Sequence, residues 1–164
     1  MRLPVRTRCG VAIRRAARAP VAFALLLALA LVAGCATTGL TPETPSQPVA
    51  RAALRPEYRV FYDALKDYGA WVSIEPFGFV FRPDVSWNLW QPYRDGRWVY
   101  TVYGWTWVPH EPWGWAPFHY GRWGYSGNGW YWVPGHAWGP AWVSWSVGNN
   151  YVGWCALGYR DRPV

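Results

Sequence analysis

The stretch Trp90-Gln91-Pro92-Tyr93-Arg94-Asp95-Gly96-Arg97-Trp98-Val99-Tyr100-Thr101-Val102-Tyr103-Gly104-Trp105-Thr106-Trp107-Val108-Pro109 returns 25 residues later as Trp115-Ala116-Pro117-Phe118-His119-Tyr120-Gly121-Arg122-Trp123-Gly124-Tyr125-Ser126-Gly127-Asn128-Gly129-Trp130-Tyr131-Trp132-Val133-Pro134. Twelve positions match, from Trp90/Trp115 to Pro109/Pro134, and eleven of the twelve are identities, with Tyr93/Phe118 the exception. A unit of this length is too short for a four-stranded propeller blade, which takes roughly 40–50 residues. It suits a β-hairpin with its connection. Aromatic and β-branched runs favour strands, Asp95-Gly96 and Asn128-Gly129 are turn signals, and proline ends each second strand because it cannot donate to the ladder.

Outward from this pair, Gly69, Trp71, Gly78, Phe81 and Pro83 form a degraded earlier copy, and Trp138-Gly139-Pro140 with Gly153-Trp154 a divergent last one. The chain therefore predicts a mainly β domain over residues 56–164. About eight short antiparallel strands are expected, in a meander, curled sheet or small barrel-like sandwich. One helix is expected before them. Pro56 suits a first turn, Tyr58, Phe61, Tyr62, Leu65 and Tyr68 recur at helical spacing, and Gly69 stands where a terminating glycine belongs.

The first 34 residues read as a signal peptide. Six arginines, from Arg2 to Arg18, precede the uncharged run Ala19–Gly34. Sixteen residues make about 24 Å of helix, short of the roughly 30 Å of a hydrocarbon core. Leu31-Val32-Ala33-Gly34-Cys35 resembles the lipobox of bacterial lipoproteins. That resemblance implies diacylglycerol on the Cys35 sulfur, cleavage before it and acylation of the new amino terminus, an anchor stable because several acyl chains are buried. Ala36, where aspartate would retain an enterobacterial-type lipoprotein in the inner membrane, favours the outer membrane. Residues 35–55, rich in Thr, Pro and Ala, read as the lipidated cysteine and an unstructured tether.

Composition excludes several functions. The formal net charge is +7, but six of the 16 basic residues lie in the leader; from Cys35 onward there are 10 basic and 9 acidic side chains. Nucleic-acid binding, which needs a basic patch, is not expected. With Cys9 in the leader and Cys35 taken by lipid, Cys155 reads as a lone small apolar residue rather than a catalytic thiol. His110, His119 and His136 lack metal-ligand spacing, and adjacent His110 and Glu111 would point to opposite faces of a strand. Glu75, Asp84 and Glu111 could pair for glycoside hydrolysis, but no spacing selects them. No enzyme activity, metal or cofactor is expected.

All 15 tryptophans lie between Trp71 and Trp154. Most are expected to fill the core, since each ring buries roughly 150–250 Å². Aromatics on both faces of Trp98–Tyr103 and of Trp130–Val133 exceed what one small sheet hides, so an exposed ring-lined surface is predicted. Rings in the proline-glycine connections are the candidates: Trp87, Trp90, Trp113, Trp115, Trp138 and Trp142, with Glu111, His119 and Asp84 as hydrogen-bonding neighbours. Such rings stack on sugars, making polysaccharide or peptidoglycan the expected partner; another envelope protein is the alternative, through the same uncovered aromatics. Arg97 and Arg122, equivalent in the two copies, are expected to pack over indoles.

The chain also resembles a tryptophan-rich family of bacterial envelope proteins, a domain of unknown function sometimes found beside FecR-like domains. The resemblance covers roughly residues 58–158. It is carried by Phe61-Tyr62-Asp63-Ala64-Leu65, Tyr68-Gly69-Ala70-Trp71, Gly104-Trp105-Thr106-Trp107-Val108-Pro109, the run from Glu111 to Trp123, Gly129-Trp130-Tyr131-Trp132-Val133-Pro134-Gly135 and Gly139-Pro140-Ala141-Trp142-Val143-Ser144-Trp145. It departs at Cys155-Ala156, where a proline is more usual. No activity or catalytic residue comes with it.

Overall fold

A computed structural model describes residues 47–164 except Trp87. The signal segment 1–34, Cys35 and most of the expected tether lie outside the described residues, as does the candidate Trp87.

Among the described residues eight short strands form, all antiparallel, as the repeat predicts. They are β1 (Gly69–Ile74), β2 (Gly78–Pro83), β3 (Gly96–Thr101), β4 (Gly104–Pro109), β5 (Arg122–Ser126), β6 (Gly129–Val133), β7 (Val143–Val147) and β8 (Val152–Ala156). Each consecutive pair is a hairpin. The first and third join through a Phe81–Trp132 pairing into a sheet of order β1-β2-β6-β5, while β3-β4 and β7-β8 remain two-stranded. Gly104 and Gly129 follow the equivalent turns with φ of 89° and 105°, a region that L side chains rarely adopt. Pro83 and Pro109 end β2 and β4, and Pro134 follows β6.

The repeat is visible in three dimensions as matching cross-strand ring pairs. Tyr100 faces Trp105 with centroids 5.3 Å apart at 77°, and their counterparts Tyr125 and Trp130 stand 5.3 Å apart at 73°. Deeper in each hairpin Trp98 pairs with Trp107 and Trp123 with Trp132. Even the one unlike pair meets: Tyr93 and Phe118 contact at 4.9 Å, and the Tyr93 hydroxyl donates to the Phe118 carbonyl.

The helical region differs from expectation in three ways. Residues 47–53, assigned by composition to the tether, form α1 (Gln47–Ala53), and Ala50 and Leu54 are buried in the core. Arg51 makes a two-pronged ion pair with Asp63 at 2.7 and 2.8 Å, fixing α1 to the next helix and holding the Asp63 carboxyl below its ordinary range. The single helix expected from Pro56 is a 3-10 turn (Pro56–Tyr58) leading into α2 (Arg59–Leu65). Gly69 starts β1, paired with Pro83, rather than capping the helix, and glycine is needed there because a Cβ would meet the carbonyl of Arg82 on β2.

The core is one aromatic cluster. Tyr58, Phe61, Tyr62 and Leu65 lay the predicted helical face on Trp71, Phe81 and Trp132, and the cluster continues through Tyr93, Trp107, Trp113, Phe118 and Trp123. Phe61 meets Trp132 edge-on at 5.3 Å, an arrangement favoured by the ring quadrupole. Tyr68 ends up exposed. Cys155 is half-buried on β8 opposite Ser144, and its sulfur is in a disulfide, so it is not the lone apolar thiol expected.

Candidate functional site: two aromatic surfaces

The loop aromatics singled out from sequence do not form one surface. Trp113 is buried, stacked on Phe118 at 16°. Trp90 is half-buried against Trp113 and Trp123, and its indole N–H donates to Glu111 Oε1 at 2.8 Å. Burial pushes the Glu111 carboxyl above the usual carboxylate range, offset in part by hydrogen bonds from its own backbone and from Trp90. Trp90, Glu111 and Trp113 are thus a structural cluster. Trp115 is exposed beside Phe61. Trp138 is exposed, stacked on His119 at 16° and edge-on to Tyr103 at 4.8 Å, while His119 Nδ1 lies 3.0 Å from the Gly139 carbonyl. Asp84 lines an open hollow with Trp90, Arg94 and Asp95. Glu75, the third carboxylate weighed for hydrolysis, is exposed in the β1–β2 turn. Among the described residues, no group of three His, Cys, Asp or Glu could hold a metal, and no helix is long and apolar enough to cross a membrane.

One surface is a cleft of about 460 Å³ on the outer side of β5-β6, closed by the C-terminal turn. Tyr131 points away from Trp130 and Trp132, as its odd position on β6 requires, and joins Phe77 at 6.2 Å; Phe77 in turn meets Tyr159 at 5.3 Å. Around these rings stand Arg122, His136 and Arg160. Arg122 does pack over an indole, but a distant one: its guanidinium lies 3.6 Å from the Trp142 ring centroid. The same guanidinium is held by Asp161 at 2.6 Å. Trp142 is fixed by its indole N–H, which donates to the His119 carbonyl. Burial raises the Tyr131 hydroxyl pKa, so it stays a neutral donor.

The other surface is an apolar groove of about 510 Å³ between the two isolated hairpins, lined by Trp98, Trp105, Trp145, Val147, Val152 and Trp154. The hairpins touch through Trp98, which lies 4.6 Å from Trp145 and 5.6 Å from Trp154, the pair in the middle of β7-β8. Trp105, nearer the tip, is 55% exposed, and Trp145 remains 44% exposed beside Trp98. The prediction that both faces of β3 carry aromatics is corrected here. Trp98 and Tyr100 share a face with Trp105 and Trp107, the other face holds Val99, Thr101, Thr106 and Val108, and Tyr103 belongs to the turn. The strand-borne rings of the groove were not among the sequence candidates. The uncharged runs 98–109 and 137–158 were the signal that marks them.

A family model described as a family of unknown function, DUF6600, matches residues 62–161, well over half of the chain. The protein belongs to this family. The matched span begins within α2 and ends in the C-terminal turn, so it takes in all four hairpins and leaves α1 outside. No curated protein and no solved structure matches the chain.

Proposed function

We propose that this DUF6600 protein is a bacterial cell-envelope lipoprotein, anchored through Cys35 in the outer membrane, whose domain is a non-enzymatic aromatic binding module for glycan, either polysaccharide or peptidoglycan. The observation that carries the reading is the cleft of Phe77, Tyr131 and Tyr159 edged by Arg122, His136 and Arg160. A sugar needs apolar ring faces for its C–H surface and fixed donors for its hydroxyls and acid groups, and the cleft offers both. Arg122 is held by Asp161 and Trp142 before any ligand arrives, which lowers the ordering cost of binding.

Calorimetric titration of the purified protein with peptidoglycan fragments and a panel of neutral and acidic polysaccharides tests this. Binding is expected, weakened roughly two- to tenfold by Tyr159→Ala through loss of one exposed stacking ring. No heat and no retention on any glycan of the panel would remove the reading. The anchor is tested separately by mass spectrometry of the mature protein: Cys35 as amino terminus carrying diacylglycerol is expected. The sequence holds two cysteines besides Cys155, Cys9 and Cys35, so a Cys35–Cys155 disulfide is the state that competes with the anchor. Recovery of residue 35 as a thiol that alkylates only after reduction would overturn the anchor.

A further inference from the structure

The two repeat copies give an internal comparison. Trp130 and Trp105 are equivalent, each pairs edge-on with an equivalent tyrosine, and yet Trp130 is 4% exposed and Trp105 55%. The same holds for Trp123 and Trp98, and for Tyr125 and Tyr100: in each case the later copy is the more covered. The β5-β6 hairpin sits within the four-stranded sheet, whereas the β3-β4 face reaches the core through Trp107, on Tyr93 and Phe118, meets β7-β8 through Trp98, and leaves Tyr100 and Trp105 exposed. What the fold supplies to one copy it leaves open on the other.

The open part has a distinctive chemistry. From Trp98 to Pro109 and from Ala137 to Gly158 there is no charged residue. At the tips Val102 is 93% exposed, Tyr103 67%, Val147 77% and Tyr151 62%, and the polar residues between them are the uncharged Asn149 and Asn150. Trp138 extends the patch through its contact with Tyr103. Tryptophan and tyrosine rimming exposed aliphatics, with uncharged amides at the extremity, is the composition that settles at a membrane–water interface. The charged residues beside the β3-β4 hairpin, Asp95 and Arg97, lie with His110 at its base, where Gly96 pairs with Pro109.

We infer that the tips of β3-β4 and β7-β8 dock on the lipid bilayer, with Trp105, Trp138 and Trp145 at headgroup depth and the apolar groove closed against the acyl region. The inference rests on the lipid anchor of the proposed function. Only residues 36–46, eleven in all, separate Cys35 from α1. They reach at most about 36–40 Å. A domain of this size is about 35 Å across. Any face can therefore be brought to the membrane, but the domain stays close to it, so apolar rings on one face see lipid at high local concentration. Because the patch is uncharged, docking draws on apolar burial rather than on anionic headgroups.

The test uses the processed protein purified from membranes and reconstituted in phosphatidylcholine vesicles with brominated acyl chains. Three of the 15 tryptophans sit on the patch, so a loss of about a fifth of the indole emission is expected. The loss should be unchanged by raising salt or adding phosphatidylglycerol, and absent in a Val102→Glu, Val147→Glu variant, whose substituted side chains are exposed and leave the fold intact. An anchored protein whose emission is unaffected, or equally quenched in the charged variant, overturns the docking and leaves the anchor standing. So does crosslinking that shows the groove filled by a second copy or another protein. If mass spectrometry finds no lipid on Cys35, the anchor falls instead. The protein is then added directly to the vesicles: binding with the same charge-sensitive quenching supports the docking surface, and no binding overturns it.

Discussion

Tyr93 holds a left-handed backbone (φ 61°) inside the core, a conformation that a bulky side chain adopts only when its surroundings fix it. Three hydrogen bonds fix it here. Its hydroxyl donates to the Phe118 carbonyl at 2.9 Å and accepts the Trp142 amide at 3.0 Å, and its own carbonyl accepts the Trp154 indole at 2.8 Å. One residue thus ties the two repeat copies to the segment that leads into β7 and to β8. Burial pushes its pKa well above the ordinary tyrosine value, which keeps the hydroxyl a donor throughout the accessible pH range. Tyr93→Phe keeps the ring but leaves a buried carbonyl and amide unpaired, which costs about 1–3 kcal/mol. Urea unfolding should show a lower midpoint with an unchanged slope; an unchanged midpoint would mean that the hydroxyl is not a structural tie. The indoles divide in the same way. Trp90, Trp132, Trp142 and Trp154 donate to protein acceptors, whereas the buried Nε1 atoms of Trp71, Trp98, Trp107 and Trp123 have no hydrogen-bond partner among the described residues. At those four positions ring packing outweighs the unmet donor.

At the scale of elements, the hairpin is the unit, and its context decides what each equivalent side chain is worth. Trp130→Ala removes a fully packed ring and is expected to cost about 3–5 kcal/mol. Trp105→Ala, at the same repeat position but bare, is expected to change stability by less than about 1 kcal/mol. Equal costs in chemical denaturation would contradict the placement of the two hairpins. The hairpins themselves were legible: Asn128-Gly129 is a turn, prolines close the second strands, and the 25-residue register carries through to ring geometry. Their assembly was not. Joining β2 to β6 rests on the pairing of Phe81 with Trp132, 51 positions apart, and no local pattern encodes it. A helix of seven residues such as α1 meets the core chiefly through Ala50 and Leu54, too few positions to display a period in a Thr/Pro/Ala-rich stretch. Trp113 and Trp115 flank a glycine that packs against Pro109 and Phe118; the irregular turn there sends one ring inward and the other out, where strand alternation would have put both on one side. The site suffered from the same gap. The core leaves several rings uncovered, as the tryptophan content predicts, but they lie on the hairpins and on the outer side of β6 more than in the proline-glycine connections.

Over the whole molecule, the core takes Trp71, Trp107, Trp113, Trp123, Trp130 and Trp132, and the remaining described rings grade outward to two surfaces of different character. The cleft combines rings with guanidinium and imidazole groups and suits a hydroxylated ligand. The groove has only carbon to offer and suits lipid. On the proposed anchor, and with the two surfaces used as proposed, the domain would lie against the membrane by its hairpin tips and turn its cleft to a glycan. Everything here depends on which indoles the fold leaves uncovered, and that is measurable ring by ring. The protein labelled with 5-fluorotryptophan, its ¹⁹F resonances assigned by single Trp→Phe variants, is exposed to a soluble paramagnetic agent without lipid or glycan. Trp105, Trp115, Trp138 and Trp145 should broaden while Trp71, Trp107, Trp123 and Trp132 keep sharp lines. A monomer in which Trp105 and Trp145 are as protected as those four would contradict the account.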